Sequence, residues 1–300
     1  MARVETRKAW PGMAHSARDV PAGPAAGDPR RLYLDLMKKC LTYYLWGSQP
    51  REVGRDGGGL LSRSIRRILI HGLAKRRIKL FEEVPFNEEL RVNGRDLPLC
   101  GDTMIGLKRL DNLQMCIERA IADGVPGDLI ETGVWKGGAT IFMRAVLKAH
   151  GIGDRNVWVA DSFEGLPAPD AERYPADRGE TWHLRPELCV SLEDVRKNFE
   201  RYGLLDSQVR FLKGWFRDTL PGAPIERLAV LRMDGDLYES TMDALAALYP
   251  RLSAGGYAIV DDYGIPSEGC RLAVHDYRRA HGINDPIIDI DGWGAYWRRS

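Results

Sequence analysis

Hydrophobic positions along the chain follow two regimes. In "RRLYLDLMKKCLTYYLWG", residues 30–47, Leu32, Leu34, Met37, Leu41, Tyr44 and Leu45 recur at roughly helical spacing. "SQPREVGRDGGGL" breaks that pattern, and "LSRSIRRILIHGLAKRRIKLFEEV" predicts a further helix pair with a basic face. From about residue 96 strands and helices alternate. "MIGLKRLDNLQMCIERAIADG" is an amphipathic helix stopped by Gly124, and "GDLIETGV" is a short buried strand. "WKGGATIFMRAVLKAHG" adds a glycine turn and a helix, then "RNVWVADSF" a second strand. "SLEDVRKNFERYGL" is a helix capped by Ser191, with Asp194 at its third position. "QVRFLKGWF", "RLAVLRMDGD" and "GGYAIVDDYG" are three further strands, with the helix "YESTMDALAALYPRL" between the last two. "CRLAVHDYRRAHG" is helical, and "IIDIDGWGAYWRRS" closes the chain as a hairpin around Gly292. Strands joined by helical crossovers pair in parallel with helices on both faces. The expected class is α/β: a doubly wound, mostly parallel sheet with an antiparallel C-terminal edge and an N-terminal helical extension.

The division along the chain follows. Residues 1–30, rich in Pro, Ala, Gly and Arg without hydrophobic period, predict a disordered tail. Residues 31–95 form a helical N-terminal segment, too small for its own core, that packs on the rest, covers a ligand or joins a second subunit. Residues 96–300 form the α/β domain. The 300 residues carry 43 Lys and Arg against 42 Asp and Glu, a net charge of +1, so no global field recruits nucleic acid or an acidic membrane. The basic face lacks base-stacking or groove-reading elements and reads as solvated surface. No apolar run approaches the roughly 20 residues of a membrane span. The start has basic residues but no apolar segment, unlike a secretory signal. Five cysteines without CxxC spacing argue against a zinc or disulfide framework and for a reducing, cytoplasmic setting.

The suspicious polar residues all fall at strand ends, where doubly wound sheets bind ligands. "ETGVWKGGAT" places Glu131, Gly133, Gly137 and Gly138 between strand and helix. It reads GxxxGG, not the GxGxxG of a dinucleotide site. An acid at the start of such a turn suits a ligand with an ammonium group and no phosphates, of which S-adenosylmethionine is one. The plain alternative is a tight turn that lets helix approach sheet. Asp161 ends the second strand thirty residues later, where a carboxylate accepts bonds from ribose hydroxyls. It serves equally as a loop carboxylate or helix cap. Trp215, after the third strand, belongs beside an adenine or in the core.

"VLRMDGDLYESTMDAL" and "YAIVDDYG" carry four more acids. Alternation along an extended chain puts Asp234 and Asp236 on one face, and Asp261 and Asp262 close the next strand. Four acids at adjoining strand ends repel unless a cation sits among them. Oxygen ligands without nearby His or Cys favour Mg²⁺. The alternative is that Asp236 caps the following helix and "DDYG" is a turn. A metal would lower the pKa of a bound hydroxyl and orient it towards a sulfonium methyl. Asp234, Asp261 and Asp262 would be ligands and Asp236 the base, with the roles open to permutation.

With these residues in place, the chain resembles the macrocin O-methyltransferase family, Mg²⁺-dependent sugar methyltransferases of antibiotic biosynthesis. The resemblance runs over residues 32–299 and rests on "TMIGLKRLDNLQ", "IETGVWKGGA", "VWVADSFEGLP", "NFERYGLLDSQVRFLKGWFRDTLP", "LAVLRMDGDLYESTMDAL" and "AIVDDYGIP". It implies a Rossmann-like class I methyltransferase fold and transfer of a methyl from S-adenosylmethionine to a deoxysugar hydroxyl on a glycosylated scaffold. It implies metal ligation by Asp234, Asp261 and Asp262 and base catalysis by Asp236. Cofactor contacts fall on Glu131, Gly133, Asp161, Ser162, Trp215 and Asp218, with Thr103 and Met104 beside the methionine end. A homodimer or higher homo-oligomer, with N-terminal helices over the active site, is also implied. The insert "APDAERYPADRGETWHLRPELCVS" is expected to be a lid over the acceptor, given its length and its Pro and charged content. The competing functions are a catechol or phenol methyltransferase on the same fold and acids, a nucleotide-dependent oxidoreductase disfavoured by the missing GxGxxG, and a non-catalytic binding protein disfavoured by the intact acid cluster.

Overall fold

Near-continuous aliphatic strands set the architecture. The computed structural model describes residues 27–52, 71–73, 76, 78–264 and 268–300. Helix α1 (Pro29–Leu41) begins with Pro29 in the first turn, and the Asp28 side chain accepts from the Arg30 amide. An antiparallel ribbon of β1 (Gln49–Glu52) and β2 (Phe81–Val84) follows, then α2 (Glu88–Val92) and α3 (Leu107–Ala122). β3 (Asp128–Thr132), α4 (Gly138–Ala149), β4 (Val157–Asp161), α5 (Leu192–Arg201), β5 (Val209–Lys213) and α6 (Phe216–Thr219) build one half of the main sheet. β6 (Leu228–Met233), α7 (Tyr238–Leu248), β7 (Leu252–Val260), α8 (Gly269–Ala280), β8 (Ile288–Asp289) and β9 (Ala295–Arg298) build the other.

The seven-stranded sheet has the order β5-β4-β3-β6-β7-β9-β8. β3 to β7 are parallel, and β9 runs antiparallel against both β7 and β8. This is the expected doubly wound sheet with its antiparallel edge and closing hairpin. Strand order reverses between β3 and β6, so their carboxyl ends flank the switch point where ligands bind.

Alternation along each strand feeds two cores. Leu129, Val157, Val159 and Ile259 join Leu113, Phe142 and Phe199 on one face. Ile130, Ala160, Leu231, Met233 and Val260 join Leu245, Val274 and Trp297 on the other. Both faces are covered, so the strands read as unbroken aliphatic runs. The same parity places Glu131, Arg232 and Asp261 on the α3 and α4 face. Glu131 is in register with Arg232, and Asp261 follows directly on β7.

The N-terminal segment departs from a wholly helical reading. "FEEV" was the end of the expected helix pair, yet it is strand β2, with Arg51 paired to Glu82 at 2.8 Å and Ser48 donating to Glu83 at 2.5 Å. Cross-strand pairing outweighs the helical tendency of glutamates here. Most of that helix pair, and residues 1–26 of the expected tail, lie outside the described residues. The tail's last residues, Pro29 and Arg30, are helical.

Two glycines fix the turn after β3. Gly133 has φ +83°, and a Cβ there would stand 1.7 Å from the Asp234 carbonyl oxygen. A Cβ on Gly138 would meet the Asp102 carbonyl oxygen at 2.4 Å, against which its own amide donates at 2.9 Å. Gly133→Ala is therefore expected to force the ends of β3 and β6 apart. Chemical denaturation should show a loss of roughly 1–3 kcal/mol, and titration calorimetry a loss of S-adenosylhomocysteine binding.

Candidate active site

The carboxyl ends of β3, β4 and β6 open into a cleft of about 850 Å³, open mouth included. It is lined by Gly133, Asp161, Ser162 and Trp215 together with Asp234, Gly235 and Asp236. Met104 also reaches it. Of the eight expected cofactor residues, the cleft thus gathers Met104, Gly133, Asp161, Ser162 and Trp215. Trp215 lines the cleft and is not a core residue. Thr103, Glu131 and Asp218 do not line it. Thr103 is buried beneath the glycine turn, where its Oγ1 accepts from the Ile105 amide at 3.3 Å. Asp218 points outward on α6 beside Arg217. Glu131 lies under the cleft floor with Arg232.

Asp161 closes its own turn. Its two oxygens accept from the amides of Val134 and Phe163, each at 2.7 Å. Burial raises its carboxyl above the ordinary range, and those amides oppose the rise. The contact with Val134 ties the β4 end to the loop after β3, two of the strand ends that form the cleft.

The acid cluster lies beside this floor. Oxygens of Asp234, Asp236 and Asp262 lie within 4.8 Å of one another. Asp236 does not share the Asp234 face by strand alternation, because β6 ends at Met233 and Asp236 has φ +55°. This left-handed backbone is uncommon outside glycine and is held by the Asp236 amide donating to Asp262 Oδ2 at 3.0 Å. Burial, then the Asp234 and Asp261 charges, push the Asp236 carboxyl up to about 8. Burial, then the charges of Asp236, Asp234 and Asp261, raise Asp262 well above its usual range. No basic side chain bonds to Asp236 or Asp262 among the described residues. Proximity, burial and missing counter-charge fit a hard divalent cation held by oxygens.

Asp261, expected among the metal ligands, has different partners. Arg232 takes its Oδ1 and Arg109 its Oδ2. Burial works against its charge, but the two guanidiniums prevail and hold the carboxyl below the ordinary range. Arg232 also bonds Glu131, and Asp234 at 3.0 Å. Arg109 continues to Asp291 at 3.1 Å and to the Gly94 carbonyl. Four carboxylates (Glu131, Asp234, Asp261, Asp291) thus meet two guanidiniums, and two more, Asp236 and Asp262, lie beside them without one. Sequence reasoning missed both arginines. The signal existed for Arg232, a lone cation inside "RLAVLRMD" two residues before Asp234. Arg109 gave none, because its partners lie 152 and 182 residues away.

The insert after β4 reaches the cleft near its C-terminal end, where Leu188 lines it, as do Leu166 and Pro167 just before the insert, and Trp135 Nε1 donates to the Glu187 carbonyl at 2.8 Å. Its middle is anchored by Asp177, which has no exposed surface. Asp177 accepts from the amides of Tyr238 at 2.7 Å and Glu239 at 3.3 Å, the first turn of α7. Sequence reasoning also passed over the cleft residues Trp135, Phe216, Arg217, Glu239, Ser240 and Asp243.

A family model described as Macrocin-O-methyltransferase matches residues 30–299. A tetracenomycin 4'-O-methyltransferase of Streptomyces olivaceus is 54% identical over 274 residues, covering 91% of this chain and 94% of the relative. The mycinamicin III 3''-O-methyltransferase of Micromonospora griseorubida is 51% identical over 272 residues, covering 90% and 96%. Among solved structures, the O-methyltransferase NovP is similar with a TM-score of 0.77 and 48% identity, covering 90% of this chain and 99% of that one. With its seven-stranded sheet and its cleft at the switch point, the chain belongs to the macrocin O-methyltransferase family and is an O-methyltransferase.

Proposed function

We propose that this enzyme transfers the methyl group of S-adenosylmethionine to a sugar hydroxyl of a glycosylated natural product, with a divalent cation, Mg²⁺, at the acid cluster. The observation that carries the reading is the convergence of Asp234, Asp236 and Asp262 beside a cleft opened by Gly133. The relatives are described as methyltransferases of tetracenomycin and mycinamicin glycosides, which supports a sugar acceptor.

Asp234 and Asp262 would hold the ion. Asp261 is the third ligand if one of its arginines yields an oxygen. A bound ion would lower the pKa of a coordinated sugar hydroxyl and fix its oxygen. Asp236 takes the hydroxyl proton: it lines the cleft, and its carboxylate lies within 4.8 Å of those of Asp234 and Asp262 without a basic side chain bonded to it among the described residues. The oxygen forms its bond to the methyl carbon as the carbon–sulfur bond breaks. Sulfur keeps that electron pair, and the sulfonium becomes a neutral thioether. Met104, Gly133, Asp161, Ser162 and Trp215 hold the cofactor, and the walls of the cleft exclude water that would compete for the methyl group.

Four outcomes test this reading. Radiolabelled methyl transfer should be robust with glycosides and absent with their aglycones; equal transfer to a phenolic aglycone would favour the catechol-type alternative. Asp236→Asn should lower the turnover rate by about 10²–10⁴-fold while S-adenosylhomocysteine affinity stays within a few-fold. Asp262→Asn should instead abolish calorimetric Mg²⁺ binding. The fourth outcome is a pH dependence. A carboxyl whose folded pKa is raised binds its proton more tightly folded than unfolded. Its stability contribution is therefore lost as pH climbs from the ordinary range, about 4, through about 8 for Asp236. A cation on the ionised cluster offsets that loss, so millimolar Mg²⁺ should raise the melting temperature more at pH 8 than at pH 6. An equal rise at both values would contradict the cluster as the metal site.

A further inference from the structure

We infer that Arg232 is a positioning residue that couples the cofactor half of the cleft to the acid cluster, so that cation and cofactor bind cooperatively. The inference rests on the metal reading above. The Arg232 side chain is 2% exposed and is shared among three carboxylates from three strand ends. Nη1 donates to Glu131 of β3 and to Asp234 after β6, and Nη2 donates to Asp261 after β7.

Glu131 depends on this contact. Its Oε2 is buried without a hydrogen-bond partner, and its Oε1 has Arg232 as side-chain donor. Glu131 begins the turn that runs through Gly133 to the cleft wall. Gly133 is itself in close approach to the Asp234 backbone. The residue that steers the acid cluster therefore also steers the strand end from which the cofactor turn departs. With the cluster empty, the guanidinium is divided between Glu131 and the two aspartates. A cation that takes Asp234 neutralises one competitor, and Nη1 then belongs more fully to Glu131. The β3 end becomes better fixed for the cofactor, and by reciprocity the bound cofactor strengthens cation binding by the same factor. Arg109, which touches Asp261 and Asp291 but not Glu131, is outside this link.

The test is calorimetry of S-adenosylhomocysteine binding with and without saturating Mg²⁺, independent of turnover. In the wild-type chain Mg²⁺ should tighten binding by about ten-fold, within the usual range for linked sites. Arg232→Lys keeps the positive charge but cannot span three carboxylates; it should reduce that factor to near one. Glu131→Gln, nearly the same shape, cuts the link from the other end. It should also remove the coupling while Mg²⁺ still binds, which preserves the test if Arg232→Lys fails to fold. Coupling that is absent in the wild type, or unchanged in Glu131→Gln, overturns the inference and leaves the metal reading standing. If the wild-type chain takes up no Mg²⁺, the metal reading falls and the inference with it.

Discussion

The structure depends on one buried ionic chain: Glu131, Arg232, Asp261, Arg109 and Asp291, with Asp234 branching from Arg232. Burying charges is expensive, and removing one partner of a buried pair typically costs about 3–5 kcal/mol because the other is left uncompensated. Such a chain persists because it fixes the relative positions of β3, β6 and β7 and links them to α3 and the C-terminal hairpin. Asp291 completes the far end, accepting from the amides of Trp293 at 3.0 Å and Gly294 at 2.9 Å. The hairpin therefore extends the sheet and also anchors the wall behind the acid cluster.

Two arginines cannot neutralise six carboxylates, and the shortfall is localised. Asp261 and Asp291 have guanidinium partners; Asp236 and Asp262 do not. One carboxyl is consequently held low and its neighbours are held high within the same few ångströms. That separation marks out chemical roles. Asp261, held by two guanidiniums, acts as framework, whereas Asp236 and Asp262 carry charge that no bonded guanidinium offsets. The left-handed backbone at Asp236 is part of the same arrangement, because it turns the residue back towards Asp262 when the strand direction would have carried it away.

The insert after β4 bridges the first turn of α7 and the glycine turn after β3. Asp177 grips the first turn of α7, which follows the Asp234–Asp236 loop directly, and Glu187 receives the Trp135 indole of the glycine turn. Burial of a carboxylate at a helix N-terminus is favourable only with its amide partners in place. The segment's position is therefore tied to the geometry of the acid loop.

The sheet was legible in the sequence because its strands are covered on both faces and its helices bury one stripe, so each element wrote its own period. The site's composition was legible too: acids after aliphatic runs mark strand ends, and glycines mark the turn. What the sequence by itself could not determine was which acid faces which charge. Asp234, Asp236, Asp261 and Asp262 look equivalent along the chain, and alternation even suggested a shared face for the first two. Arg109, more than 150 residues from its carboxylate partners, separates Asp261 from the others. The β2 ribbon was hidden for the same reason, since "FEEV" becomes a strand only against "QPRE". Local periodicity reports burial of a side chain, whereas the partner of a buried charge is set by how distant segments pack, and only the tertiary structure decides that.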